Sequence, residues 1–214
     1  MIQLETFTFN PFQENTYVLW DETNECVIVD PGCYDASEQI RLSSFITDRG
    51  LTPVLLVNTH CHIDHIFGNA YCKNKFDIPL VYHKLDHVVL ESGKNSAMLY
   101  GLHYDESPSA DKYLVEGEKL EFGASSMDIV FTPGHSPGSV CLIAREEQFV
   151  IGGDVLFQLS IGRTDLPGGD HQTLLDSIQR ELFVLPESME VYPGHGPKTT
   201  IGFEKENNPF LQGL

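Results

Sequence analysis

Basic residues are scarce in this chain. Thirteen Lys and Arg stand against 31 Asp and Glu, a formal charge of −18 over 214 residues. That balance argues against nucleic acid or an anionic membrane surface as a partner, since both demand a basic face. Long apolar runs are also missing, and none approaches the roughly 20 residues that span a bilayer. The N-terminus, Met1-Ile-Gln-Leu-Glu-Thr-Phe7, alternates like a strand and has no basic segment ahead of an apolar core, so no signal peptide is expected. Paired cysteine spacings are absent too. Cys26, Cys33, Cys61, Cys72 and Cys141 are odd in number and scattered, which fits reduced thiols and a cytoplasmic location. No linker-like or low-complexity stretch divides the chain, so residues 1–214 read as a single domain. An apolar fraction of 41% with 21% charged residues suits a soluble fold.

Against these absences stands one dense cluster, Thr59-His60-Cys61-His62-Ile63-Asp64-His65. It follows the apolar run Pro53-Val-Leu-Leu-Val57, which reads as a buried strand, and precedes a helical pattern begun by Ile66, Phe67 and Ala70. The imidazoles therefore sit at a strand's carboxyl end, where open sheets collect ligands. Positions two apart in extended chain point the same way, so His60 and His62 can converge, while Asp64 and His65 lie past the bend. Neutral imidazole and carboxylate are ligands for a borderline divalent cation such as zinc. Alternation turns Cys61 away from both histidines, which makes it a buried filler.

Three later segments repeat the pattern of a strand leading into a glycine and then a His or Asp. They are Pro133-Gly134-His135-Ser136-Pro137-Gly138, Gly152-Gly153-Asp154 and Pro193-Gly194-His195-Gly196. Glycine permits a sharp turn and a close backbone approach at such ends. Any one of them is a plain turn; together with the cluster they complete a ligand set.

The four motifs in this order resemble the metallo-β-lactamase superfamily, and within it the glyoxalase II-like hydrolases (hydroxyacylglutathione hydrolases), over almost the whole chain. The resemblance implies a binuclear site. His60, His62 and His135 would hold one metal, Asp64, His65 and His195 the other, with Asp154 bridging both. Zinc is the expected metal, with iron or manganese as alternatives, and Asp64 counts as the catalytic carboxylate as well as a ligand. The chemistry expected is hydrolysis of a small thioester by a hydroxide shared between two cations, with no Ser or Cys nucleophile.

Around these motifs, residues 2–9, 15–20 and 25–30 read as a strand meander closed by Asp30-Pro31-Gly32. Asp35 to Arg49 reads as a helix with a capping pair of Asp35 and Glu38 and apolar positions Ile40, Leu42, Phe45 and Ile46. A helix to about Phe76 follows the histidine turn. Strands are expected near 113–115, 120–122, 126–132, 139–145 and 148–152, then an amphipathic helix from Asp170 to Phe183 and a short one from Thr200 to Asn208. The whole suggests an αββα four-layer sandwich with the ligands at one rim. Residues 84–112 show no clear periodicity. They read either as a flap presenting Met98, Leu99, Tyr100 and His103 to the substrate or as a surface excursion.

Departures from the larger glyoxalase II members concern glutathione. Their helical C-terminal extension is not matched before Leu214. Gly162-Arg163-Thr164-Asp165 stands where they carry a Lys and a Tyr, and Pro197 replaces a further Tyr. Arg163 is the remaining candidate for an anionic substrate contact, weighed against a loop salt bridge. A persulfide dioxygenase, with one iron on His60, His135 and Asp154, also shares the motifs; a lactonase and a non-catalytic metal-binding module are further alternatives. A β-lactamase is disfavoured because the families compared place Cys at the Asp154 position and lack a His after Asp64.

Overall fold

The computed structural model describes residues 1–213. Two six-stranded sheets form its centre. In the first, β1 (Gln3–Phe9), β2 (Glu14–Trp20), β3 (Glu25–Val29), β4 (Thr52–Val57), β5 (Leu80–His83) and β6 (Lys112–Leu114) lie side by side in chain order. The opening meander is antiparallel, whereas β3 to β6 run parallel. The second sheet is built from β7 (Lys119–Phe122), β8 (Ser125–Phe131), β9 (Val140–Ala144) and β10 (Phe149–Gly153). A small hairpin, β11 (Leu156–Phe157) and β12 (Ser160–Ile161), stands apart from it. The sheet is completed by β13 (Glu190–Pro193) and β14 (Thr199–Thr200), in the order β14-β13-β10-β9-β8-β7.

Both faces of each sheet are covered, and the side-chain alternation shows how. Tyr17, Leu19, Val27 and Val29 point inward and meet Phe122, Ile129, Leu142 and Ile151 of the other sheet. Their neighbours Val18, Ile28 and Leu56 point outward onto Leu42 and Ile46 of α1 (Ala36–Asp48) and Cys72 of α3 (Asn69–Phe76). On the far side, Cys141, Ile143 and Val191 pack on Leu174 of α6 (His171–Ser177) and on Ile178 and Leu182 in the π-helical turn that continues it. A strand with apolar partners on both sides needs a continuous apolar run rather than alternation, which Tyr17-Val-Leu-Trp20 supplies in β2, a strand buried over all seven residues. The result is the four-layer αββα sandwich of the metallo-β-lactamase fold.

Local departures have physical reasons. Asp35 caps α1 as expected, accepting from the Ser37 and Glu38 N–H groups. Glu38 does not close a capping box on Asp35; its carboxylate accepts from Tyr34 N–H at 2.7 Å and Asn10 N–H at 2.9 Å, tying the helix to the β1–β2 turn. Ile40 faces solvent rather than the core. The helix after the histidine turn is two pieces, α2 (Ile63–Ile66) and α3, broken at Gly68. A Cβ there would lie 2.4 Å from Cys33 Sγ, and the Gly68 N–H leaves the helical ladder for Pro31 O at 2.6 Å. Residues 84–112, which lacked a readable period, contain a 3-10 turn and two short helices, α4 (His87–Glu91) and α5 (Gly93–Tyr100). They are too short to show an apolar stripe. The closing helix, α7 (Ile201–Asn207), starts at its Thr200 cap and ends before Pro209.

Candidate metal centre

The ends of β4, β8, β10 and β13 open on one rim, and each delivers its motif there. Two groups of potential ligand atoms form, His60 with His62 and His135, and Asp64 with His65 and His195, each with its atoms within 4.8 Å of one another. In the first, His62 Nδ1 lies 2.8 Å and His60 Nε2 3.2 Å from His135 Nε2. In the second, His195 Nε2 lies 3.0 Å from Asp64 Oδ2. Asp154 faces both. Its Oδ1 is 3.4 Å from His65 Nε2, and its Oδ2 is 3.5 Å from His135 Nε2 and 3.6 Å from His195 Nε2. All seven residues singled out from sequence as ligands thus meet in one place.

Ring nitrogens that face one another this closely need something electrophilic between them. One shared proton can satisfy only a single pair. His65 Nε2 and Asp154 Oδ1 are buried without any hydrogen-bond partner. Unmatched buried acceptors of mixed N and O type fit a divalent cation such as zinc or iron. The electrostatics favour neutral imidazoles at His60 and His62. Burial, then repulsion from His65 and His135, pushes His60 well below its ordinary pKa. Burial and His135 lower His62 to about 3. For Asp154, desolvation acts upward, but the neighbouring imidazoles, His65 foremost, hold its carboxyl well below the usual range.

In His60, His135 and His195 the nitrogen turned away from the centre is hydrogen-bonded, which fixes those rings. His135 Nδ1 donates to Arg163 O at 2.7 Å and His195 Nδ1 to Phe12 O at 3.1 Å. His60 Nδ1 sits 3.2 Å from Thr59 Oγ1, and His65 Nδ1 3.1 Å from Asp30 Oδ2. Asp30 itself accepts from the Thr59 N–H and hydroxyl. Although Asp30, His60 and His65 form a third close group, the Asp30 carboxylate is consumed in this orienting role.

Cys61 points into the core, and burial raises its thiol pKa well above normal. It is a filler, not a nucleophile.

Several contributors had no signature in the sequence. Asp86, fully buried, accepts from Ser136 Oγ and the Gly138 N–H, each at 2.6 Å, and from the Cys61 N–H. Asn15 Nδ2 donates to Pro193 O at 3.1 Å and Gly196 O at 2.8 Å, and Tyr17 Oη donates to Pro193 O at 2.6 Å. The first sheet thereby holds the loop of the last histidine. The one available hint was a polar trio, Glu14-Asn15-Thr16, opening a strand that is otherwise apolar and aromatic.

Over the rim lies a cleft of about 770 Å³ whose floor includes His62, Asp64, His135, Asp154 and His195. Leu99 and Tyr100 line it, as a flap would, but Met98 and His103 do not. Tyr100 rests edge-on against Phe12 at 5.1 Å. Arg163 also lines the cleft, with its guanidinium gripped by Asp165 at 2.7 and 2.8 Å.

The sandwich with its rim of histidines and aspartates defines the class, and the comparisons agree. A model of the metallo-β-lactamase superfamily matches residues 9–195, and the chain belongs to that superfamily. Within it, the chain is 41% identical to a probable metallo-hydrolase, YqgX, of Bacillus subtilis over 95% of both chains. It is 35% identical to the hydroxyacylglutathione hydrolase GloC of Haemophilus influenzae over 98% of both. Among solved structures, the BLEG-1 B3 metallo-β-lactamase superposes with a TM-score of 0.91 at 40% identity, over 99% of this chain and 100% of that one. A protein solved in a di-iron-bound form, TTHA1623, gives 0.88 at 38%, over 97% and 100%. These relatives make the chain a metallo-hydrolase of the superfamily.

Proposed function

We propose that the chain hydrolyses thioesters of small molecules, with His60, His62 and His135 holding one divalent cation, Asp64, His65 and His195 a second, and Asp154 shared between them. The position of the Asp154 carboxylate between the two groups carries this reading. Zinc is the proposed metal, with iron as the alternative because a relative 38% identical is described as di-iron bound. Cations held there would lower the pKa of a water and polarise a carbonyl oxygen. The protein's own residues do the rest. Asp64 and Asp154 lie on the cleft floor as carboxylates. Burial pushes Asp64 up, but His65 and His195 more than offset it and hold its pKa below normal, so its oxygens stay available to orient the attacking water. The outward bonds of His135 and His195 lock their rings against rotation. The thiolate is a good leaving group and needs little help from a general acid, so no Ser or Cys nucleophile is required. The five cysteines, all buried and free, support a reducing, cytoplasmic setting.

Elemental analysis of the purified protein, joined to assays on acyl thioesters, lactones, persulfides and β-lactams, tests the proposal. β-Lactams belong in the panel because a structure 40% identical is described as a B3 metallo-β-lactamase. Two metal ions per chain with thioesters as best substrates is the expected result. One iron per chain with oxygen uptake on persulfides would replace it with a mononuclear dioxygenase. Inertness of the fully loaded protein on every substrate would leave a metal-binding module.

A further inference from the structure

The walls of the cleft carry information that the metal ligands do not. Above the floor they are mostly hydrocarbon, from Phe12, Val88, Leu99, Tyr100, Phe157 and Leu166, with the small uncharged Ser92, Asn95, Ser96 and Ser160 between them. Val88 is 62% and Leu99 81% exposed, so short helices at the mouth present large apolar side chains to water with no protein partner. The Phe157 ring stands edge-on to His195 at 6.3 Å, which brings this apolar surface down to the metal ligands themselves. Charge is as informative. Arg163 is the only Lys or Arg among the lining residues, and its Nε–Nη2 edge is paired with Asp165. A peptide thiol such as glutathione brings two carboxylates, and this cleft offers them one cation, its charge already balanced by Asp165, in a chain that is strongly acidic overall.

From this we infer that the site takes an uncharged thioester bearing a hydrocarbon group of several carbons, and not a glutathione conjugate. The inference rests on the thioester reading above. The reaction balances as R–CO–S–R′ plus water giving R–COOH plus HS–R′. The carbon–sulfur bond breaks, a carbon–oxygen bond forms, and the sulfur leaves with the electron pair and takes up a proton. Walls of this kind reward each methylene removed from water and are indifferent to charge recognition.

The test uses the metal-loaded protein. One arm extends the acyl group from acetyl to decanoyl on a small neutral thiol; the other holds acetyl fixed and lengthens the thiol. The expected result is a rise in kcat/KM of roughly fourfold per methylene in at least one arm until the cleft is filled, the factor that about 0.8 kcal/mol per buried methylene gives. The arm that rises shows which side of the carbonyl lies on the apolar wall. The thioester of a hydroxy acid with glutathione should be poorer than the octanoyl substrate. Flat profiles in both arms, or a preference for the glutathione thioester, would overturn the inference while leaving hydrolysis intact. Failure of hydrolysis itself is told apart by calorimetry with straight-chain alkanoic acids on the same loaded protein. Affinity that climbs with chain length upholds the apolar site even if every thioester is inert, and length-independent affinity overturns it. Leu99→Ser, an exposed change, should flatten the length dependence at unchanged metal content; an unaltered slope would remove Leu99 from the site.

Discussion

Ser136 Oγ donates to Asp86 Oδ1 at 2.6 Å, joining the loop that carries His135 to a turn 50 residues away in sequence. The same carboxylate receives the Gly138 N–H and the Cys61 N–H, so one buried side chain clamps the His60–His62 turn to the His135 turn. Asp86→Ala would strand three donors in the core, at about 1–3 kcal/mol each where no water reaches them. The expected outcome is a fall of several degrees in the melting temperature of the metal-free protein, with occupancy lost first at the His60, His62 and His135 position. Asp86→Asn, which keeps one acceptor, should recover part of both. An unchanged metal content in Asp86→Ala would show that the two turns hold their places unaided.

Gly194 has a second reason to be glycine beyond turning the chain. A Cβ there would sit 2.1 Å from Asp154 Oδ1 and 2.7 Å from His65 Cε1. Gly194→Ala is expected to displace the shared carboxylate and lower metal content at both positions together. Gly196→Ala is the matched control. It has a φ of +75° but meets nothing within 4 Å, so it should cost only about 1–2 kcal/mol of backbone strain and keep its metal. Equal metal loss in both variants would assign the effect to the loop's backbone and not to Asp154.

The two glycine turns show what the sequence could and could not disclose. Strand ends followed by Gly-His or Gly-Asp were legible because both signals, a buried run and a chemically loaded turn, are local. The two-sheet sandwich was legible for the same reason, since its longer strands announce themselves, while the two-residue strands β11, β12 and β14 are too short to show a pattern. Asp86 was not, because a buried carboxylate looks like any surface acid until the three donors from distant segments are placed around it. His83 and His87 stand four apart, a spacing that can hold a metal on a helix, yet His83 packs on Phe131 at 4.6 Å and His87 bonds Tyr82 at 2.8 Å. The helices between residues 87 and 100 were hidden by their brevity, their exposed apolar residues serving the cleft and not the core.

Asp21, at the end of β2, ties the two sheets together and should make stability depend on acid. Its carboxylate accepts from the Thr23 N–H and hydroxyl on its own sheet and from the Ala124 N–H and Ser125 hydroxyl on the other. Desolvation pushes its pKa up, but these bonds outweigh it and hold the group at about 2. The unfolded chain ionises this group near pH 4, so the folded state binds the proton more weakly. The stabilisation is therefore complete above about pH 4 and fades as pH falls toward 2. Asp21→Asn should lower stability near neutral pH by about 2 kcal/mol, the scale of a lost set of charged hydrogen bonds. The gap between variant and parent, followed by denaturant midpoints, should narrow below pH 4. A gap that stays constant through that range would assign the loss to shape and not to charge.

Arg163 and Asp165 set the last expectation, because the pair decides how the cleft treats anions. Asp165 holds the guanidinium along its Nε–Nη2 edge at 2.7 and 2.8 Å and balances its charge, so the Nη1 donors left free offer a substrate carboxylate little net attraction. Both side chains are more than half exposed, so the pair itself is worth little to stability, within about 1 kcal/mol. Arg163→Ala is accordingly expected to shift KM for anionic and neutral thioesters alike and by less than about threefold, which is under 1 kcal/mol. Asp165→Asn should do more, and selectively. It frees the fork and removes a negative charge, so KM for an anionic thioester should fall several-fold while that for a neutral one stays put. If instead Arg163→Ala alone raised KM for anionic substrates tenfold, the Nη1 edge would be holding the substrate, and the cleft would recognise charge after all.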